Sequence, residues 1–262
     1  VIDFHNHLIP GVDDGAADLS ESRAGLAAMR DHGVRTVVCT PHIRASLAGT
    51  PAAHQAYLEQ VDAAWDGLRA LAADEFPELR VERGFEVMLD VPSPDMADPR
   101  LRLGGTRFVL IEFPFMSIPA NAGPAVYEMA MRGWTPVIAH PERYSNLAPD
   151  LQEPEAWKRS GALLQVNAGS LLGKYGERAR SSAWGLLQRG LVDFVCSDFH
   201  ARGSIHLAAA RAELERAGAG AQAALLMNDN AERMLRGESP LPVAPVAKAG
   251  VPLWRRILGR GR

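Results

Sequence analysis

Short, nearly continuous apolar runs alternate along the chain with longer stretches of helical periodicity. The runs are Val1–Phe4, Thr36–Cys39, Val81–Phe85, Phe108–Ile111, Pro136–Ala139, Leu163–Val166 and Phe194–Cys196. Runs that do not alternate apolar with polar read as strands buried on both faces. Between them the pattern predicts helices. The first starts at Asp18, which forms a capping-box pattern with Glu21, and runs to His32, where Gly33 closes it. The second opens at Thr50-Pro51, an N-cap followed by proline at the first helical position, and continues to Ala73. Others are expected at Pro124–Arg132, Glu155–Ser160, Arg178–Arg189, Ile205–Arg216 and Ala221–Leu235. Seven such repeats predict an α/β fold of parallel β/α units, closed or nearly closed into a barrel. One domain is expected over residues 1–237.

Residues 238–262 break the pattern, being Pro-rich and then apolar with interleaved arginines from Val251 to Arg262. This tail reads either as a disordered, solvated segment or as a short basic amphipathic stretch making weak contact with anionic lipid or a partner.

Composition narrows the classes. With 262 residues the chain can bury a full core without staples. A net charge of -3 supplies no basic field for nucleic acid. Cys39 and Cys196 lie far apart in apolar runs, which fits reduced thiols in a cytoplasmic setting rather than a disulfide framework. No stretch has the character of a secretion signal or a membrane span.

The chemistry stands just past the strand ends. His5 and His7 follow the first run, with Asp13 and Asp14 in the same loop; His42 follows the second, Glu86 the third and Glu112 the fourth. His140 follows the fifth, Asn167 the sixth, and Asp198 and His200 the seventh. In a β/α barrel such positions gather at one rim. Five of the eight histidines fall there, too many for chance clustering of structural residues. His32, His54 and His206 lie away from strand ends and read as surface residues. Imidazoles mixed with carboxylates, without cysteine, are a ligand set for Mn²⁺, Fe or Zn²⁺. The candidates exceed the needs of one ion and suit two or three with a bridging carboxylate. Paired ions suit phosphoester hydrolysis. Arg44, Arg143 and Arg202 follow candidate ligands; Arg143 is the best placed to hold a phosphate, with a salt bridge to Glu142 or another rim acid as its structural role.

The stretches HNHLIPGVDDGA, TPH, GFEV, LIEFPF, AHPERY, QVNAGSLLGKYG and CSDFHA resemble, in order, the PHP superfamily (polymerase and histidinol phosphatase). More narrowly, they resemble the manganese-dependent bacterial tyrosine phosphatases of capsule and exopolysaccharide loci, the CpsB/YwqE-like group. The resemblance implies a distorted (β/α)7 TIM-like barrel with three ions at its C-terminal rim, Mn²⁺ first, with Fe or Zn as alternatives. It implies that His5, His7, Glu86 and Asp198 hold one ion. Glu86 would bridge to a second, held also by Glu112 and His140, and Asp14, His42 and His200 would hold the third. Arg143, His200 and Asp14 are the implied catalytic residues. A metal-bridging hydroxide would attack phosphorus without a phosphoenzyme. The implied partner is a phosphotyrosine protein, a membrane-associated tyrosine autokinase that controls polysaccharide polymerisation. By the same resemblance Asp14 is the ligand of the aspartate pair and Asp13 a supporting or turn residue. Two positions depart from the group: Ile43 stands where many relatives carry a second histidine, and Phe199 where a small residue is common.

Other readings compete. Cys196 and Arg202 in CSDFHAR have the spacing of a cysteine-based tyrosine phosphatase, but Asp198 within that loop would repel an anion and raise the thiol pKa. A PHP phosphatase acting on a small phosphomonoester such as histidinol phosphate is the second enzyme reading, and the acidic pI disfavours a nuclease. A metal-stabilised scaffold without catalysis is the third reading.

Overall fold

The computed structural model describes residues 1–247. Among them are nine strands: β1 (Ile2–Asp3), β2 (Thr36–Cys39), β3 (His42–Arg44), β4 (Arg80–Arg83), β5 (Glu86–Met88), β6 (Phe108–Glu112), β7 (Thr135–Ala139), β8 (Leu163–Asn167) and β9 (Phe194–Cys196). The helices are α1 (Leu19–Asp31), α2 (Pro51–Glu75), α3 (Ala122–Met131), α4 (Gln152–Arg159), α5 (Ala168–Leu171), α6 (Gly176–Gln188), α7 (Leu207–Arg216), α8 (Gly220–Ala224) and α9 (Asn230–Leu235). None of the described helices is long and apolar enough to cross a membrane.

All strand pairs are parallel, as the buried runs predict, but they form two sheets rather than one ring: β1-β2-β4, and β3-β5-β6-β7-β8-β9. The expected strand Thr36–Cys39 is present as β2 and is followed by a short unexpected strand, β3, whereas the expected run Val81–Phe85 is broken. Pro41 has no N–H to continue the ladder and separates β2 from β3. Gly84 separates β4 from β5; a Cβ there would lie 3.1 Å from the Arg102 carbonyl oxygen and from Leu103 Cα, so only glycine passes that crossing backbone without a shift. Single backbone hydrogen bonds span the interruptions, Gly84 N–H to Cys39 O (2.9 Å) and Glu86 N–H to Pro41 O (3.0 Å). Similar bonds join the ends of β9 and β1: Asp198 N–H to His5 O and His7 N–H to Phe199 O, both 2.8 Å.

Period two in the strands divides the core. Phe108, Leu110, Val137, Ala139, Phe194 and Cys196 pack with Phe4 and Val38 in one cluster. Val109, Ile111, Ile138, Leu164, Val166 and Val195 belong to the larger cluster under the helices. Glu112 continues the face of Phe108 and Leu110 by the same period, and Gln165 that of Leu163. The polar site therefore caps the smaller cluster.

Helix starts are mixed. Asp18 caps α1 as expected, its carboxylate accepting from Ser20 and Glu21 N–H, while Glu21 reaches back to Ala17 N–H. Thr50 precedes Pro51 but makes no side-chain cap bond, so the proline alone marks that start. The helix expected over Ala221–Leu235 is interrupted by a π turn, Leu225–Asp229. The segment 238–247, assigned to the tail by its composition, is laid against the body. Leu241 exchanges two hydrogen bonds with Asn230, Val243 and Val246 are buried, and Val246 N–H donates to Leu187 O. The amphipathic stretch Val251–Arg262 lies outside the described residues.

Candidate metal centre and active site

The expected rim residues converge. In the ladder His42 lies opposite Glu86, and Glu86 opposite Leu110, which puts Glu112 one step beyond. Glu86 Oε2 is the common neighbour: it stands 3.1 Å from His5 Nε2, 3.4 Å from His7 Nε2 and 3.2 Å from His42 Nδ1. Asp198 Oδ1 lies 3.3 Å from His5 Nε2 and 3.6 Å from His7 Nε2. Asp14 Oδ1 faces His42 Nε2 at 3.6 Å and His200 Nε2 at 3.4 Å.

Among the described residues, three groups have donor atoms within 4.8 Å of one another: His5, His7, Glu86 and Asp198; His7, Asp14, His42 and His200; and His42, Glu86 and Glu112. The first is the set implied by resemblance. The second adds His7 to the implied set. The third holds His42 where His140 was expected; His140 Nε2 instead bonds Glu86 Oε1 at 3.0 Å and stands 3.9 Å from Glu112 Oε2. Backbone at two of these strand ends is left-handed, His140 at φ 35° and Asp198 at φ 55°, a costly conformation for non-glycine residues that recurs at functional sites.

A metal fits this donor set by a direct test. His5 Nε2, His7 Nε2, His42 Nδ1, Glu86 Oε2 and Glu112 Oε1 are all buried without a hydrogen-bond partner. Buried polar atoms are normally paired, and these unpaired ones point at each other across distances that an ion would bridge. Electrostatics agrees. Burial opposes a charged His5, yet the Glu86 and Asp198 carboxylates pull its imidazole up to about 9. Burial likewise opposes ionised Glu86, but His5, His140 and His7 hold it well below the usual carboxylate range. The carboxylates call for positive charge, which divalent ions would supply in place of protons.

Outer contacts orient the imidazoles. His5 Nδ1 donates to Gln165 Oε1 (2.8 Å), Gln165 Nε2 donates to Asn167 Oδ1 (2.9 Å), and Asn167 Nδ2 donates to Asp198 Oδ2 (2.6 Å). This chain leaves His5 Nε2 facing the cluster. Asp13 turns away from the cluster and accepts from His7 Nδ1. Gln165 was missed in the sequence, although a fully buried amide in the run LLQVN was the available signal.

The arginines separate. Arg143 donates to Asp198 Oδ2 at 2.6 Å and lies over the Tyr175 ring at 4.3 Å, so its acid partner is Asp198. Glu142 turns inward instead and accepts from Asn167 N–H and Ser170 Oγ. Arg202 holds the backbone of the Asp14–Gly15 turn, donating to Gly15 O at 2.8 Å. Arg44 lines a neighbouring cleft rather than the cluster. Cys196 is buried at the core, where desolvation, Asp3 and Asp198 push its thiol well above the ordinary range, which argues against it as a nucleophile.

Known proteins resemble this chain over most of its length. The chain is 31% identical over 244 residues to the tyrosine-protein phosphatase YwqE of Bacillus subtilis, covering 91% of this chain and 93% of that one. It is 29% identical over 207 residues to the tyrosine-protein phosphatase CpsB of Streptococcus pneumoniae, covering 76% and 83%. Its fold superposes with a TM-score of 0.78 and 32% identity on a crystal structure from a study of YwqE and CpsB, described as unique metal-dependent tyrosine phosphatases. That match covers 95% of this chain and 100% of the other. The family profile described as "Capsular polysaccharide synthesis, CpsB/CapC" matches residues 1–236. The chain belongs to the CpsB/CapC family.

Proposed function

We propose that this chain is a metal-dependent phosphatase that hydrolyses phosphotyrosine on a protein, with a tyrosine kinase of polysaccharide synthesis as its substrate. The observation that carries this reading is the convergence of unpartnered buried donors on Glu86 Oε2. In it, His5, His7, Glu86 and Asp198 hold one ion, Glu86, Glu112 and His140, with His42 adjoining, a second, and Asp14, His42 and His200 a third. Mn²⁺ is the first candidate, with Fe or Zn as alternatives. Bound ions would polarise the phosphoryl oxygens and lower the pKa of water.

The chain's own residues supply the rest. Arg143 stands beside Asp198 with guanidinium donors to spare for a phosphate oxygen. The Tyr175 ring lies against that guanidinium. The Gln165–Asn167 chain fixes His5 and Asp198 before substrate arrives. Exposure favours an enzyme over a scaffold: the His5 and His7 side chains are fully buried, whereas His42 and His200 are 31% and 30% exposed and Asp14 is 70% exposed. One side of the cluster is open to an incoming phosphate. Two free buried cysteines fit a reducing, cytoplasmic location. As a fold, we read residues 1–237 as one distorted seven-stave barrel, with β2/β3 and β4/β5 as two broken staves.

Turnover with added Mn²⁺ on a phosphotyrosine peptide, a phosphoserine peptide and histidinol phosphate, for wild type and Asp198→Ala, tests the proposal. Preference for phosphotyrosine that is lost in Asp198→Ala is expected. Preference for histidinol phosphate would replace the substrate, and full activity of Asp198→Ala would remove the metal site.

A further inference from the structure

His42 and Glu112 belong to the donor cluster and also line a second space beside it. That space is a cleft of about 720 Å³, whose further walls include Leu47, Tyr57, Met88 and Phe115. The volume is in the range that encloses a whole organic ligand, well beyond one aryl ring. At its mouth Phe115 is 96% exposed, the most exposed large apolar side chain among the described residues.

The backbone holds it there at a cost. Phe115 and Met116 are consecutive non-glycine residues in the left-handed region, at φ 56° and 49°. The turn is kept by its neighbours: Ser145 N–H donates to Met116 O (2.8 Å), Ile118 N–H to Asn146 Oδ1 (2.8 Å) and Phe113 N–H to Tyr144 Oη (3.1 Å). Tyr144, Ser145 and Asn146 directly follow Arg143 in the chain. The turn that displays Phe115 and the arginine that faces the phosphate site are thus one braced structure. A strained, braced turn that presents a bare phenyl ring beside the reaction centre is built to be covered when substrate is bound.

We infer that this cleft binds the polypeptide flanking the phosphorylated tyrosine, with an apolar side chain of that flank packed on Phe115. Phe115 then determines which phosphotyrosine sites are accepted. The inference rests on the phosphatase reading above. The occupant is assigned as substrate because His42 and Glu112 belong to both spaces, so a chain entering the cluster continues into the cleft.

The test compares two substrates, a phosphotyrosine peptide with leucine or valine on either side of the tyrosine and free phosphotyrosine, across wild type, Phe115→Ser and Phe115→Leu. The ratio of kcat/KM for the peptide to that for free phosphotyrosine is expected to fall about tenfold in Phe115→Ser, as loss of aromatic burial predicts, mainly through KM. Phe115→Leu should restore most of it. An unchanged ratio in Phe115→Ser, whether both substrates fall together or neither does, overturns the inference. A dimer seen by sedimentation in wild type and lost in Phe115→Ser, with the ratio unchanged, would assign the ring to a second copy instead. Wild type inactive on both substrates would refute the phosphatase reading itself, and the cleft assignment with it.

Discussion

His7 and Asp13 are joined by a 2.7 Å hydrogen bond between Nδ1 and Oδ2. The bond commits Nδ1 of His7 to the carboxylate and leaves Nε2, fully buried and unpartnered, facing Glu86 and Asp198. The same carboxylate accepts from Gly15 N–H (3.0 Å) and His42 N–H (3.1 Å), so one side chain braces two strand ends. Orienting partners of this kind are worth roughly 10–100-fold in metal affinity. Asp13→Ala is therefore expected to weaken Mn²⁺ binding by about that factor, with Asp13→Asn milder because its amide oxygen can still accept. Calorimetric titration of the metal-free protein measures it. Equal affinity in wild type and Asp13→Ala would reduce Asp13 to a turn residue.

The turn carrying the aspartates depends on Gly15 in a second way. A Cβ added there would lie 2.0 Å from His7 O and 2.4 Å from His7 Cβ, so the loop passes in direct contact with the ligand-bearing strand end. Ala16 N–H donates to the same His7 oxygen at 2.9 Å. Gly15→Ala must push the two segments apart. A loss of about 1–3 kcal/mol is expected from such overpacking, together with weaker Mn²⁺ binding. Urea unfolding of the metal-free protein separates the stability effect from the binding effect.

Why some of the site was legible and some was not follows from these contacts. His5, His7, His42, Glu86, Glu112, His140, Asp198 and His200 each end an apolar run, and strand period with parallel pairing is enough to bring such ends together. The partition among ions was less legible. His42 sits close to Glu86 and Glu112 through the β3–β5 register, and β3 was not visible because three residues after a proline carry little pattern. Gln165 and Tyr175 act through other side chains; an amide inside the apolar run LLQVN marks the first, and nothing local marks the second. The break at Gly84 depends on the backbone of Arg102 and Leu103 passing from elsewhere in the chain, which period alone does not encode.

Asp193 and Lys158 provide a pH test away from the cluster. Lys158 Nζ lies 2.7 and 2.6 Å from the two carboxylate oxygens of Asp193, and Leu164 N–H donates to the same carboxylate. Burial raises the Asp193 pKa, with Lys158 working against it. A carboxyl raised on folding binds more protons in the native state, so its cost to stability appears as pH rises through the ordinary aspartate range and is full above the folded value. Lys158→Met removes the opposing charge and raises the pKa further. The variant should lose on the order of 1–3 kcal/mol at neutral pH, and the deficit should shrink as pH falls toward the ordinary aspartate value. A deficit constant across pH, read from urea midpoints, would mean that lost packing of the lysine stem is responsible.

Cys196 separates metal chemistry from thiol chemistry. Its side chain packs with Phe4, Val38 and Phe194, and its raised pKa leaves little thiolate at neutral pH. Cys196→Ala is expected to turn over phosphotyrosine at the wild-type rate, and iodoacetamide should leave wild type active. Inactivity of a folded Cys196→Ala variant would restore the cysteine reading.

Tyr175 and Arg143 carry the final expectation. The guanidinium carbon sits 4.3 Å from the ring centroid, while one terminal nitrogen bonds Asp198 at 2.6 Å. Two contacts on different sides restrict a long side chain that is otherwise costly to order. The ring face, not the hydroxyl, makes the contact, so Tyr175→Phe should behave as wild type and Tyr175→Leu should not. A cation–π contact at a partly exposed site is worth about 0.5–1 kcal/mol, a factor of roughly 2–5. Tyr175→Leu should therefore raise KM for a phosphotyrosine peptide by that factor, and the inhibition constant for inorganic phosphate should rise in step, because both report the anion held by Arg143. If Tyr175→Phe loses as much as Tyr175→Leu, the hydroxyl rather than the ring face positions the site. If KM rises while phosphate inhibition does not, Tyr175 contacts the peptide and Arg143 is held by Asp198 alone.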